Sequence, residues 1–543
     1  MRYYIWILLT FLITPSGMNI NQIKQYKSSL QQFEEEVEYL KEKLQMPGIT
    51  ALIIKDDSII WQKASGYADL ENKTPLNISH IFPLASVTKT FAAVLTMQMA
   101  EEGKINLDSS VNFYLPKLKL PHSIKVRHVL SHTSQTIPGE NFEYTHRYSW
   151  LGDILEKISG KDLDKLMKER ILDSLKMSRT IPGLGAKAYE HLTDSIAKPY
   201  YFFKGKVSKG IYPSNGLKTS SGLASTVGDL AKYAISLDKN KLLTQESRQK
   251  MFEPFLSNQG KKLAYALGWF STRVLDYDVV WHYGQLECYS TLLLKVPEKK
   301  LTLIALSNSG ALSDHGRMIN GNPLTSSLIL AFFKHMVLSD EQPSYFPRLD
   351  YENQPDLAEA FIAIIRNQEN RTFYREELIS KIILQAYLGQ EDEKSLKSAI
   401  RLTEILFRLF PETEKMALPQ FSWSLLAFLQ KEKIAFLEQT EKIILNCSNE
   451  FPTHPEMIYL AGRFYQLTDN KEKATFYFSK IAELPNQSVA WFKVLALTDA
   501  GEYLQEKNPE KAKKYLKQVI TWGWNFDGAY FKAQNLLKKL NTK

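Results

Sequence analysis

Phe82-Pro83-Leu84-Ala85-Ser86-Val87-Thr88-Lys89-Thr90-Phe91 is the stretch on which the reading of this chain turns. An apolar lead-in ends at Ser86, and a helical pattern follows through Phe91, Val94, Leu95, Met97 and Met99 to Gly103. Ser86 is therefore expected to open a helix, with Lys89 three residues on and sharing its face. There the serine oxygen lies near the partial positive charge of a helix start. An amine one turn along can take the hydroxyl proton, which is how a serine–lysine pair makes a nucleophile. A lone S-x-x-K occurs often by chance, so its weight comes from its surroundings.

Upstream, residues 19–45 carry apolar positions at helical spacing (Leu30, Phe33, Val37, Leu40, Leu44), stopped by Pro47-Gly48. Residues 49–55 and 58–64 read as two strands joined at Asp56-Asp57. Downstream, a helix over 150–158 stops at Gly160, and Gly222-Leu223-Ala224-Ser225-Thr226 leads into another, with Ser225 or Thr226 as cap. Strand character returns at 265–273, 279–283, 290–296 and 301–307, the last two forming a hairpin across Pro297-Glu298-Lys299-Lys300. A helix over about 324–338 closes this half. Early strands, central helices and late strands place it in the α/β (α+β) class, one antiparallel sheet sandwiched with helices.

Residues 339–353 are polar, hold Pro343 and Pro347, and read as a linker. From 354 to 543 the pattern is all helical. Asn470-Lys471-Glu472-Lys473-Ala474 recurs as Asn508-Pro509-Glu510-Lys511-Ala512, an offset of 38 that also pairs Gly462 with Ala500 and Phe478 with Leu516. Small residues where helices touch, with aromatics between, resemble degenerate tetratricopeptide repeats. The expected organisation is a signal peptide or N-terminal anchor (1–18), a mixed domain (19–338), the linker (339–353) and a helical-repeat domain (354–543).

Composition narrows the function classes. The net charge of +9 is small for 543 residues and no long basic run concentrates it, so nucleic acid is not an expected partner. Two cysteines, Cys288 and Cys447, give neither a disulfide framework nor a zinc site, and no H-E-x-x-H spacing calls for a metal. No cofactor is expected. Arg2, the apolar run 3–13 and Thr14-Pro15-Ser16-Gly17 have the layout of a secretory signal, with an uncleaved membrane anchor through 3–13 as the alternative. The expected location is outside the cytoplasm: periplasmic, cell-envelope or secreted.

Three further pieces would complete a site around Ser86 and Lys89. Tyr144, in Pro138-Gly139-x-x-Phe142-x-Tyr144, is a second proton-handling group. Trp281-His282-Tyr283-Gly284 supplies a strand edge on which substrate can lie, with Gly284 keeping the backbone clear. Backbone N–H groups of Ser86 and Gln285 can form an oxyanion hole.

Together with Leu130-Ser131-His132-Thr133-Ser134, Gly222-Leu223-x-Ser225-Thr226-x-x-Asp229-Leu230 and Gly268-Trp269, these motifs resemble the serine beta-lactamase and penicillin-binding-protein superfamily. The likeness is greatest to its class C-type branch, with esterases and D-peptidases, over roughly residues 30–338. The resemblance implies a beta-lactamase-like fold and an acyl-enzyme formed on Ser86, with Lys89 and Tyr144 sharing acid and base work in an order left open. It implies that His282, where many relatives carry lysine, binds a carboxylate or tunes Tyr144. Where the family has Tyr-Ser-Asn this chain has Tyr144-Thr145-His146, making His146 the occupant of the third position. Gln135 replaces a usual glycine, and Cys288 stands where relatives have glycine. His132, Cys288 and Cys447 read as buried core residues.

The implied activity is that of an exported serine hydrolase acting on a small ester, amide or D-amino-acid peptide, with a beta-lactam among the candidates. The rival is a catalytically weak scaffold or sensor whose helical domain binds a protein partner.

Overall fold

Seven antiparallel strands form one sheet in the computed structural model, which describes residues 20–542 apart from 186, 204–205, 214–215, 339–358, 360–367, 433 and 486–489. The segment read as signal or anchor and the linker at 339–353 lie outside the described residues. After helix α1 (Ile20–Lys43) come β1 (Gly48–Lys55) and β2 (Ser58–Asp69). Asp56 and Asp57 between them take φ of 47° and 64°, the left-handed pair that a two-residue hairpin turn requires. The late strands are β3 (Phe270–Val274), β4 (Tyr277–Leu286), β5 (Tyr289–Val296) and β6 (Leu301–Ser307). The sheet order is a two-residue edge at Thr74–Pro75, then β2, β1, β6, β5, β4 and β3. The strand expected over 265–273 is shorter, because Gly268 takes φ of 84° and turns the chain before Phe270.

Period-two alternation sorts the side chains into two layers. Ala51, Ile53, Leu292, Leu294, Leu303 and Ala305 pack against α1 and against a helical segment that begins as α5 (Ser327–Phe332). Leu52, Ile54, Leu293, Ile304 and Leu306 face the opposite layer, formed by α2 (Thr88–Glu101), α3 (Trp150–Ser159) and α4 (Val227–Asp238). With both faces covered, every residue of β5 and β6 is buried, and apolar residues stand side by side in each. Gly160 ends α3 at φ 65°, and the Thr226 hydroxyl caps α4 by accepting from Asp229 N at 3.1 Å.

Beyond residue 367 every described element is helical, from α6 (Gln368–Leu388), α7 (Glu393–Leu409) and α8 (Pro419–Lys431) through α9 (Leu437–Glu450) and α10 (Pro455–Leu467). The array ends with α11 (Lys471–Glu483), α12 (Trp491–Tyr503), α13 (Pro509–Trp522) and α14 (Ala529–Thr542). Asn470 and Asn508 cap α11 and α13 identically, accepting from Lys473 N and Lys511 N at 3.1 Å each. Gly462 receives the Phe478 ring, and in the next pair Gly501 lies against Leu516, with Ala500 buried in the same cluster.

The two halves share one apolar core. Residues from Leu30 and Phe33 through the sheet to Phe373, Leu406 and Ile443 are a continuous buried cluster. Lys334 pairs with Glu377 across it at 2.9 Å, both side chains 4% exposed.

Candidate functional site

From residue 81 to 97 every residue but one is buried, and the exception is Ser86. It does not stand at the first turn of the α-helix. Residues Ala85–Val87 form a 3₁₀ turn and α2 begins at Thr88. Ala85 takes φ of 48°, a left-handed conformation that costs a residue with a side chain about 1–3 kcal/mol. The surroundings enforce it: Leu84 N donates to Leu223 O at 2.7 Å, and Thr291 Oγ1 of β5 donates to Leu84 O at 2.8 Å.

Gly284 explains how closely β4 meets that turn. A Cβ there would lie 2.1 Å from Thr291 Oγ1, 2.2 Å from Leu84 O and 3.0 Å from Ala85 Cβ. The space a side chain would need is filled by protein, which corrects the expectation that Gly284 clears a path for substrate. Gly284→Ala is accordingly expected to push β4 off the Ser86 turn, lowering stability by about 1–3 kcal/mol and slowing any reaction at Ser86. Urea unfolding and Ser86 labelling rates, measured together, check this.

Lys89 Nζ donates to Ser86 Oγ at 3.0 Å and to Ser220 O at 2.9 Å. Its side chain is buried, and desolvation lowers its pKa from the usual lysine range to about 7. Nζ also lies 4.7 Å from the centre of the Tyr144 ring. Tyr144 is half-buried and lies close enough to Ser86 for the serine to act on its phenol, while burial pushes its pKa well up. Ser86, Lys89 and Tyr144 are thus brought together.

His282 is differently placed from expectation. It is fully buried; its Nδ1 donates to Tyr283 O at 2.7 Å and its Nε2 accepts from the Tyr265 hydroxyl at 2.9 Å. Burial, with Lys89 nearby, pushes its pKa down to about 3, so the ring is neutral. A neutral ring with both nitrogens engaged cannot bind a carboxylate, and that expectation is corrected. What remains to it is to sit 6.3 Å from the Tyr144 ring as part of its wall. His146 is exposed in the short turn His146–Ser149. Among the described contacts it is Ser220 O that meets Lys89, with Ser220 Oγ 3.0 Å from Ser149 Oγ. Gln285 follows Gly284 on β4, and its side chain donates to Asp314, whose pKa burial raises to about 6.

His132 is the inner clamp of the Tyr144 loop. Its φ of 53° turns the chain sharply. Its carbonyl then accepts from Glu143 N at 2.8 Å and its Nδ1 from Thr145 N at 3.1 Å, one residue either side of Tyr144. Its ring stacks on Tyr144 at 4.2 Å. Gly268 allows the approach of Tyr148, whose hydroxyl donates to Lys89 O at 2.9 Å. Ser220 was not singled out from sequence, although it lies two residues before the Gly222 motif. A crevice of about 1220 Å³ opens elsewhere, between β3 and the helical array; Phe142 and His454 line it, while Ser86, Lys89 and Tyr144 do not.

A family model described as Beta-lactamase matches residues 33–320, more than half of the chain. The chain belongs to the beta-lactamase family. This beta-lactamase-family chain is 25% identical over 323 residues to Protein flp of Staphylococcus aureus (strain NCTC 8325 / PS 47), a match covering 52% of this chain and 63% of that protein. It is 25% identical over 318 residues to Penicillin-binding protein 4* of Bacillus subtilis (strain 168), covering 50% of this chain and 70% of that protein. The chain therefore spans less than two thirds of the length of the first of these relatives. Among solved structures it is similar to the octameric penicillin-binding protein homologue from Pyrococcus abyssi, with TM-score 0.49 and 21% identity over 65% of this chain and 81% of that one. It is also similar to the D-amino acid amidase from Ochrobactrum anthropi SV3, with TM-score 0.45 and 19% identity over 53% and 92%. The antiparallel sheet with covering helices is the beta-lactamase-like fold expected, and an all-helical region follows it. Among the described residues no helix is long and apolar enough to cross a membrane.

Proposed function

We propose that this beta-lactamase-family protein is an exported serine hydrolase that works through an acyl-enzyme on Ser86. The observation that carries the reading is the 3.0 Å contact between Ser86 Oγ and a buried Lys89 amine whose pKa lies at about 7. At neutral pH a large share of such an amine is uncharged and can accept the hydroxyl proton as Oγ attacks a carbonyl carbon. Lys89 is then the first base, because a phenol held well above its ordinary pKa is a poor one. Tyr144, beside Ser86, gives its proton to the leaving alkoxide or amine and is reprotonated from Lys89, whose amine lies 4.7 Å from its ring centre. Backbone N–H groups of Ser86 and Gln285 are assigned to the developing oxyanion, a reading supported by the close packing of β4 on the Ser86 turn. Water releases the acyl group by the reverse proton route.

The substrate class is a small ester, amide or D-amino-acid peptide. The D-amino acid amidase likeness is one of fold and does not choose among these. Export rests on the segment 1–18, and the linker and repeat-domain boundaries remain part of this proposal. The rival, a scaffold or sensor holding a protein on its helical domain, has the exposed His146 in its favour, since the third motif position reaches no described hydrogen-bond partner.

Intact-mass analysis of folded protein after treatment with a fluorophosphonate and, separately, a penicillin tests the reading, with peptide mapping to locate the adduct. A fluorophosphonate adduct on Ser86 is expected. A penicillin adduct would add a beta-lactam-shaped pocket, whereas no adduct with either reagent would leave the scaffold.

A further inference from the structure

The loop that presents Tyr144 is gripped from the hydrolase side by His132, and a second set of its contacts runs to the helical array. Four residues at the junction of α9 and α10, Glu450, Phe451, Thr453 and His454, reach it or its immediate support. Thr453 Oγ1 accepts from the Asn141 side chain, and His454 Nε2 donates to Phe142 O at 3.0 Å. Glu450 pairs with Lys261 at 2.8 Å, and the Lys261 amine lies 4.1 Å from the Phe451 ring. Lys261 belongs to the turn whose Asn258 N donates to Gly139 O and whose Asn258 Nδ2 donates to Pro138 O, each at 3.0 Å. From α12, Lys493 is buried close enough to Glu143 for that carboxylate to act on its charge.

We propose that the helical domain braces the Tyr144 loop from outside, with His454 as a positioning residue that fixes Tyr144 against Ser86. The proposal rests on the role assigned to Tyr144 above. Two observations give His454 this place in particular. Its Nε2 must carry the ring proton to donate to a carbonyl, and the remaining Nδ1 is buried with no hydrogen-bond partner. Burying a bare lone pair is unfavourable, so this ring is held by the Phe142 link and by Pro455, which starts α10 immediately after it. In addition, Phe142 and His454 both line the crevice of about 1220 Å³. The loop therefore has empty space beside it, and the His454 link spans the edge of that space. Cutting the link lets residues 141–143 relax into the crevice, and Tyr144, two residues from the held carbonyl, moves with them. The Phe142 ring, stacked on Tyr265 at 5.1 Å, would transmit the same shift toward His282.

The test is the rate of fluorophosphonate labelling of Ser86, resolved into reagent affinity and maximal rate, on the full chain. His454→Ala is expected to lower the maximal rate about tenfold with affinity unchanged. His454→Gln, whose amide nitrogen can reach the same carbonyl, is expected to restore it. In a Tyr144→Phe background the His454→Ala effect should vanish, because both changes act on one proton path. Thr453→Val gives the same non-additive pattern should His454→Ala fail to fold. If His454→Ala and Thr453→Val leave the rate unchanged, or if their effects simply add to that of Tyr144→Phe, the brace is refuted while the serine hydrolase reading stands. If Tyr144→Phe itself leaves labelling unchanged, the role of Tyr144 fails, and the brace fails with it. If wild-type Ser86 is never labelled, the parent reading is what fails.

Discussion

Ser86→Ala is expected to abolish fluorophosphonate labelling and to lower turnover of an activated ester by at least about 10³-fold, with the fold intact. Residues that act as a unit in covalent catalysis lose most of their effect when the nucleophile goes. The fold should survive because little of it depends on the hydroxyl. Ser86 is the sole residue not buried between 81 and 97, and its neighbours are held by Leu223, Thr291 and the α2 backbone. Lys89 keeps Ser220 O as an acceptor after losing Oγ. Thermal unfolding of the variant should therefore lie within a few degrees of the parent. Retained labelling at another residue would move the nucleophile elsewhere and undo the assignment.

The parts of the fold legible in sequence were those with a strong period or an obligate turn residue. The Asp56-Asp57 hairpin, the Gly160 stop and the Thr226 cap all follow from local chemistry, and each is present. The S-x-x-K spacing survives even though Ser86 sits in a 3₁₀ turn, because residues three apart share a side in both helix types. The tightness of the Ala85 turn was not legible, since an alanine gives no sign that it will take a left-handed φ. That conformation is imposed by β4 and β5, strands about 200 residues downstream.

The site shows the same division. Ser86, Lys89 and Tyr144 could be found because each lies in a motif, whereas Ser220 meets Lys89 through its backbone carbonyl, a group every residue has. Of the two roles open to His282, carboxylate binding is the one the structure argues against: the sequence places it on a strand and says nothing of Tyr265, which occupies its Nε2. The C-terminal half was legible only as helices. That its α9–α10 junction reaches the Tyr144 loop, 312 positions away in the chain for His454 and Phe142, is a property of packing alone.

Lys89→Met is expected to separate stability from activity in opposite directions. The folded protein holds this amine at a pKa of about 7, against an ordinary value of 10.5. Between those values the unfolded chain binds a proton that the folded chain lacks, so stability rises with pH across that window. The penalty is complete below about pH 7 and fades as pH approaches 10.5. Methionine, apolar and of similar length, removes the penalty, a gain on the order of a few kcal/mol at neutral pH. Loss of the hydrogen bond to Ser220 O offsets about 1 kcal/mol of it. Calorimetry should find the variant more stable than the parent at about pH 6.5, with the difference shrinking toward about pH 10. Labelling of Ser86 should meanwhile fall by about 10²–10⁴-fold, the range for a lost general base. The parent's labelling rate should climb with pH to a plateau through about 7, following deprotonation of Lys89, and the variant should lack that inflection. A protein made more stable and less reactive by one substitution has not lost activity through unfolding. Equal loss of both properties, or a parent profile flat through neutrality, would show that this amine is a structural group and not the base.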